Sequence, residues 1–256
     1  MNILCIGDVV GQRSCTFLRE HLPAFKKLMA VDLVIANGEN SADGNGITPA
    51  SAEYLLSSGV DVLTSGNHVF RRREVYDYLD ENHCVLRPAN YPKTASGRGL
   101  LLHDMGRVQV AVINLMGTVF LDSLRCPFET ADALLEEAKD CKIILVDFHA
   151  EATAEKKALG FYLDGRISAL FGTHTHVQTS DAQVLPNGSG YITDVGMTGA
   201  VLSVLGVKPE QAIAKMKEKL PVRFETAEGP MMINCVLFVV DEKTGRCQSA
   251  EAFDLR

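Results

Sequence analysis

Three times before residue 83 a short apolar run gives way to an amphipathic stretch: "NILCIG", "VDLVIAN" and "VDVLTSG" are each followed by a segment with helical periodicity. Short apolar runs bounded by glycine or asparagine read as buried strands. Repetition of strand, helix and strand requires parallel strands covered by helices. The helices are predicted at about Ser14–Met29, Pro49–Ser58 and Arg71–Asn82. The pattern then changes. "GRGLLLHDMGRVQVAVINL" reads as two strands about a Gly-Arg turn, and "KIILVDFHA" as a strand following a helix over Pro127–Lys139. Next come a helix over Thr153–Leu163, a strand before His174, a hairpin-like "AQVLPNGSGYITD" and a helix over Pro209–Leu220. The strands "MMINCVLFVVD" and "RCQSAEAFDL" close the chain, with Asn187-Gly188 and Thr244-Gly245 as turn signals. No repeat, low-complexity tract or Pro/Ser linker divides it. A single α/β domain over residues 1–256, with two sheets between helical layers, is expected.

Bulk properties exclude several function classes. At 46% hydrophobic and 22% charged, the 256 residues suffice for a sizeable core. A formal charge of −7 argues against an extended nucleic-acid surface or an anionic-membrane surface. The first residues show no basic n-region or long apolar stretch, and no run has membrane-span length, so a cytoplasmic protein is expected. Seven cysteines, an odd number without a C-x-x-C pair, fit reduced thiols rather than a disulfide framework.

The strands end in polar residues that a plain turn does not need: Asp8 in "GDVVG", Glu39 and Asn40 in "NGENSADG", Asn67 and His68 in "SGNHVF", His149 in "DFHAEAT", and His174 and His176 in "FGTHTHVQTSD". Carboxyl ends of parallel strands are where open α/β sheets bind ligands. If the last pair lies on extended backbone, both imidazoles face one target just past a strand end. Each residue has an ordinary alternative: Asp8 as a helix N-cap, Asn40 and Asn67 as turn formers, His149 as a core histidine, and the H-x-H as hydrogen-bonded loop residues. As a set, two carboxylates, two amides and three imidazoles suit a borderline divalent ion such as Mn²⁺, Fe²⁺ or Zn²⁺. They exceed what one such ion takes. Two ions sharing Glu39, roughly 3.5–4 Å apart, would clamp an in-line phosphoryl displacement.

Together with "NGENSADGNGIT", "RPANYP" and "ITDVGMTG", these motifs resemble the calcineurin-like metallophosphoesterases of the YmdB-like branch, from residue 7 to about residue 230. The resemblance implies a four-layer α/β/β/α sandwich and a dinuclear iron or manganese site, with zinc as a further option. It also implies hydrolysis of phosphodiesters, 2′,3′-cyclic nucleotides above all. By motif, one ion falls to Asp8, Glu39, Asn40 and His176, the other to Glu39, Asn67, His149 and His174. The nucleophile is then a hydroxide bridging the ions, and His68, beside Asn67, is the expected general acid.

Some residues are ambiguous. Asp147 or Glu151 is a candidate to orient an imidazole, or is merely strand-end polarity. Arg71–Arg73 suit a phosphate or a solvated helix face, and "TDVGMTG" a substrate loop or a plain turn. Two departures from the branch, "QRSCTF" after "GDVVG" and Ala200 after "GMTG", touch substrate fit rather than the ligand set. The alternatives are a phosphomonoesterase or nucleotidase using the same site, and a non-catalytic regulator on the same fold.

Overall fold

The structure is a computed structural model that describes residues 1–256. Its first half runs β1 (Asn2–Ile6), β2 (Asp8–Val9), α1 (Gly11–Leu28), β3 (Leu33–Asn37), α2 (Pro49–Ser57), β4 (Val62–Thr64), α3 (Val75–Glu81), β5 (Leu100–Asp104) and β6 (Gln109–Met116). Then follow α4 (Pro127–Glu137), β7 (Ile143–His149), α5 (Thr153–Leu163), β8 (Ala169–Thr173), β9 (Gln183–Val184), β10 (Gly190–Ile192), β11 (Met197–Ala200), α6 (Pro209–Glu218), β12 (Met231–Val240) and β13 (Cys247–Leu255).

Two sheets form. The first has the order β2-β11-β12-β1-β3-β4, with β13 also paired to β12. β1, β3 and β4 are mutually parallel, while β12 runs antiparallel to β1, so the two ends of the chain complete one sheet. The second has the order β5-β6-β7-β8-β10-β9, a parallel centre with antiparallel edges.

Alternation along the strands builds the layers, since successive side chains face opposite sides. In β1, Leu4 and Ile6 pack with Leu18 and Leu22 of α1, whereas Ile3 and Cys5 face Val112, Leu145 and Phe171 of the second sheet. β12 does the same, with Cys235 and Leu237 on the helical side and Val236 and Phe238 between the sheets. A third apolar layer joins Ile113, Val146 and Phe148 to Leu159 and Leu163 of α5. Three apolar layers require four structural ones, the expected α/β/β/α sandwich. No helix is long and apolar enough to cross a membrane.

The differences from expectation are local. α3 begins at Val75, not Arg71, because residues 68–74 are consumed in tight turns. The short strands β2 and β11 carry too few residues for periodicity to reveal them.

All seven cysteines are free. Cys126 is exposed and Cys84 half-buried, whereas burial pushes the thiols of Cys15 and Cys235 up to about 12 and that of Cys247 to about 11. A thiol-exchange reagent at pH 8 should therefore label Cys126 quickly and Cys84 slowly, with the other five reached only on denaturation. A stoichiometric intramolecular disulfide in non-reducing mass analysis would contradict this.

Candidate active site

The polar strand ends meet in one crevice. After β1 the chain steps sideways at Gly7, where a Cβ would lie 2.1 Å from the Gly196 oxygen. That close approach lets β11 pair with β2 and delivers Asp8, fully buried, into the crevice. Glu39 and Asn40 follow β3, and Asn67 and His68 follow β4. Gly66 lets its neighbour in: a Cβ there would overlap the His149 ring at 2.1 Å. His149 ends β7, and His174 and His176 follow β8.

All the sequence-nominated donors come together. His149 Nε2 lies 3.0 Å from Asn67 Oδ1, 3.0 Å from His174 Nδ1 and 3.3 Å from Glu39 Oε1. One ring nitrogen offers a single N–H or a single lone pair, so it cannot satisfy three such neighbours. A cation among them would. Donor atoms of Glu39, His149 and His174 all lie within 4.8 Å of one another. Beside the same carboxylate, Asn40 Nδ2 is 3.3 Å from Glu39 Oε1, 3.4 Å from His176 Nε2 and 3.5 Å from Asp8 Oδ1. His176 Nε2 is itself 3.5 Å from Asp8 Oδ1. The Asn40 oxygen faces His68 Nδ1 at 2.8 Å, so coordination through that oxygen requires the amide to turn end for end. The mixed oxygen and nitrogen set, free of thiolate, fits borderline divalent ions.

Charge follows from this crowding. Burial favours the neutral form of Glu39, but His149 and His68 outweigh it and hold the carboxyl well below its usual range. Burial of Asp8 is likewise overcome, chiefly by His176. His149 is raised to about 9 against its burial by Glu39, Asp8 and Asp147. His176 is raised, again against burial, by Asp8, whereas burial and the neighbouring His149 lower His174.

A supporting layer holds the donors, and most of it escaped sequence reading. Thr173 Oγ1 donates to Asp147 at 2.8 Å and meets His149 Nδ1 at 2.9 Å, which leaves Nε2 to face the crevice. Asn37 donates to Asp147 at 3.1 Å and accepts the Glu39 N–H at 3.1 Å. Burial pushes the Asp147 carboxyl up to about 7. Glu151, the other flanking carboxylate, lies 2.9 Å from His174 Nε2.

The H-x-H turn corrects the expectation of extended backbone and a single target. His174 and His176 have φ of +103° and +62°, so their rings diverge. His174 goes to His149, and His176 to Asp8 and Asn40. Asp194 pins the turn, accepting from Thr175 N at 3.1 Å, Thr175 Oγ1 at 2.7 Å, Lys156 Nζ at 2.6 Å and Gly196 N at 2.8 Å. The "TDVGMTG" stretch is thus a buttress and a strand. Lys156→Met strands the Asp194 charge in a site where both partners are 1% exposed. Equilibrium denaturation should show a loss of about 3–5 kcal/mol; a change under about 1 kcal/mol would contradict this.

His68 is half-buried. Its N–H donates to Glu39 Oε2 at 2.9 Å, and its Nδ1 lies 3.1 Å from Glu39 Oε1. No protein group is hydrogen-bonded to its Nε2. Of the arginines expected on a helix face, Arg72 lies in a turn instead and clasps the 43–46 loop through the Asp43 and Asn45 carbonyls. A cleft of about 810 Å³ opens beside that loop, lined in part by Val10, Arg72, Arg223 and Phe224 and by none of the donors above.

The family model of YmdB-like protein matches residues 4–253. A Bacillus subtilis (strain 168) protein named 2′,3′-cyclic-nucleotide 2′-phosphodiesterase is 45% identical over 252 residues, 98% of this chain and 96% of that protein. The crystal structure of a phosphatase from Mycoplasma pneumoniae superposes with a TM-score of 0.94 at 33% identity, covering 100% of this chain and 93% of that one. A Haemophilus influenzae NAD nucleotidase shares the fold alone, with a TM-score of 0.62 at 14% identity over 99% of this chain and 55% of that one. Matched along nearly its whole length, on a two-sheet fold of the metallophosphoesterase and nucleotidase type, the chain belongs to the YmdB-like protein family.

Proposed function

We propose that this chain is a metal-dependent phosphoric ester hydrolase, a phosphodiesterase of one domain acting on small cyclic nucleotides, with 2′,3′-cyclic nucleotides favoured. The observation that carries the reading is the convergence of Glu39, His149 and His174, with Asp8, Asn40 and His176 against the same carboxylate. The Bacillus relative's name supports the substrate class. Asp8, Glu39, Asn40 and His176 would hold one divalent ion, and Glu39, Asn67, His149 and His174 a second, iron or manganese before zinc. When bound, such a pair supplies Lewis acidity at the phosphate and a water acidic enough to attack near neutral pH.

The chain's own residues do the rest. Asp8 and Glu39 stay ionised and bring negative charge into the crevice. Asn37, Thr173 and Asp147 fix the orientation of His149, and Asp194 fixes that of His174 and His176. His68, anchored to Glu39 through its backbone N–H and its Nδ1, leaves Nε2 to carry a proton to the departing ribose oxygen.

A side-by-side assay with 2′,3′-cyclic AMP, 3′,5′-cyclic AMP and 5′-AMP, with elemental analysis of protein purified without chelator, tests this. The expected result is about two equivalents of transition metal and preference for the 2′,3′-cyclic substrate. Preference for 5′-AMP would favour the phosphomonoesterase reading, which the Mycoplasma phosphatase suggests. Protein without transition metal that turned over none of the three would be a non-catalytic member of the fold.

A further inference from the structure

Backbone strain gathers around the crevice. Among the non-glycine residues with positive φ are His174, His176, Leu205 and Phe120. The first two diverge to their partners, and the Leu205 carbonyl lies 3.1 Å from His176 Nδ1. Phe120 differs. Its φ is +63°, a conformation a bulky side chain rarely adopts, and it is 87% exposed, the largest exposure of any large apolar residue here. Such outliers concentrate at ligand sites.

The loop carrying Phe120 starts at the crevice and is held firmly. Met116, the last residue of β6, stands opposite His149 in the ladder, and Gly117 N donates to the His149 carbonyl at 3.0 Å. Residue 117 must be glycine, because a Cβ would lie 2.3 Å from Glu155 Oε2 and 2.6 Å from Ala150 Cβ. Glu155, largely buried, accepts from Thr118 N at 2.9 Å, Thr118 Oγ1 at 3.3 Å and Val119 N at 3.4 Å. Three residues span at most about 10 Å, so Phe120 lies no farther than that from Gly117, the residue bonded to the His149 backbone.

An exposed aromatic ring on a loop that leaves its strand beside His149 is matched by a nucleobase, because every base offers a π-face and stacking needs no hydrogen-bond code. We infer that Phe120 is the platform on which the base of the nucleotide substrate stacks, an assignment that rests on the cyclic-nucleotide reading above. The ring is remote from the bond that breaks, so it contributes equally to ground-state and transition-state binding. Its loss should therefore raise KM and leave kcat alone.

The test compares wild-type enzyme with Phe120→Ala, Phe120→Tyr and Phe224→Ala on 2′,3′-cyclic AMP and on ribose 2′,3′-cyclic phosphate, which has no base. Phe120→Ala should raise KM for the nucleotide about 5- to 20-fold with kcat within about twofold, the lower part of the range for base stacking at a site open to water. KM for the base-free substrate should not move, and Phe120→Tyr should match wild type. In addition, Phe120→Trp places the only tryptophan in a chain that has none. Its fluorescence should be quenched by adenosine 3′-phosphate and not by ribose 5-phosphate. An unmoved nucleotide KM in Phe120→Ala, an equal rise for both substrates, or an effect confined to Phe224→Ala would overturn the assignment while leaving the phosphodiesterase reading intact. Wild-type enzyme that turned over neither cyclic substrate would overturn both.

Discussion

Glu39→Ala should lower turnover by more than about 10³-fold, well beyond the roughly 10- to 100-fold cost of losing a residue that merely supports a metal ligand. The variant removes the one side chain that faces both donor groups: Glu39 Oε1 lies 3.3 Å from His149 Nε2 on one side and 3.3 Å from Asn40 Nδ2 on the other. It also removes the acceptor of the His68 N–H. Elemental analysis should show both equivalents of metal depleted, whereas Asn67→Ala, which removes a donor from one group only, should deplete one. Far-UV circular dichroism should match wild type, showing that the variant is folded. Retention of two equivalents and near wild-type turnover would end the shared-carboxylate reading.

His68→Ala separates proton transfer from metal binding. It should keep its metal and lose activity by about 10²- to 10⁴-fold on a 2′,3′-cyclic nucleotide, whose leaving ribose oxygen needs a proton. On a p-nitrophenyl phosphodiester the loss should be much smaller, since p-nitrophenolate departs unprotonated. The geometry behind this is the tether: Glu39 holds Nδ1, and Nε2 is free of the protein. Loss of metal would make His68 a support for a ligand. Equal slowing on both substrates would make it a group that positions the phosphate.

These two residues were legible in the sequence because strand ends are. Apolar runs record where the backbone is buried, and a polar residue that interrupts such a run marks the point where the chain leaves the sheet. Parallel strands bring those points to one side, so Asp8, Glu39, Asn67 and His149 could be grouped without coordinates. The helix over Thr153–Leu163 was readable as well, although its buried face carries Glu155, Lys156 and Gly160 beside Leu159 and Leu163. Arg71–Arg73 show where local pattern misleads: helix-forming residues sit in turns because residues 68–74 have to bring the chain away from the crevice before α3 begins.

What the sequence determined by itself was the fold class and the layering, which depend on periodicity, while the residue types that end the strands nominated the candidate donors. Tertiary structure alone decided the backbone geometry that points the donors apart. His174 and His176 diverge because the backbone turns left-handed at both, a conformation stabilised by Asp194, whose partner Lys156 is 38 positions away and looks in the sequence like any solvated helix lysine. The step at Gly7 that admits β11, and the loop that holds Phe120 in water, likewise rest on contacts with Gly196 and Glu155. Periodicity reports which face of a segment is buried. It carries no record of which distant segment buries it, and that choice sets the directions in which these side chains point.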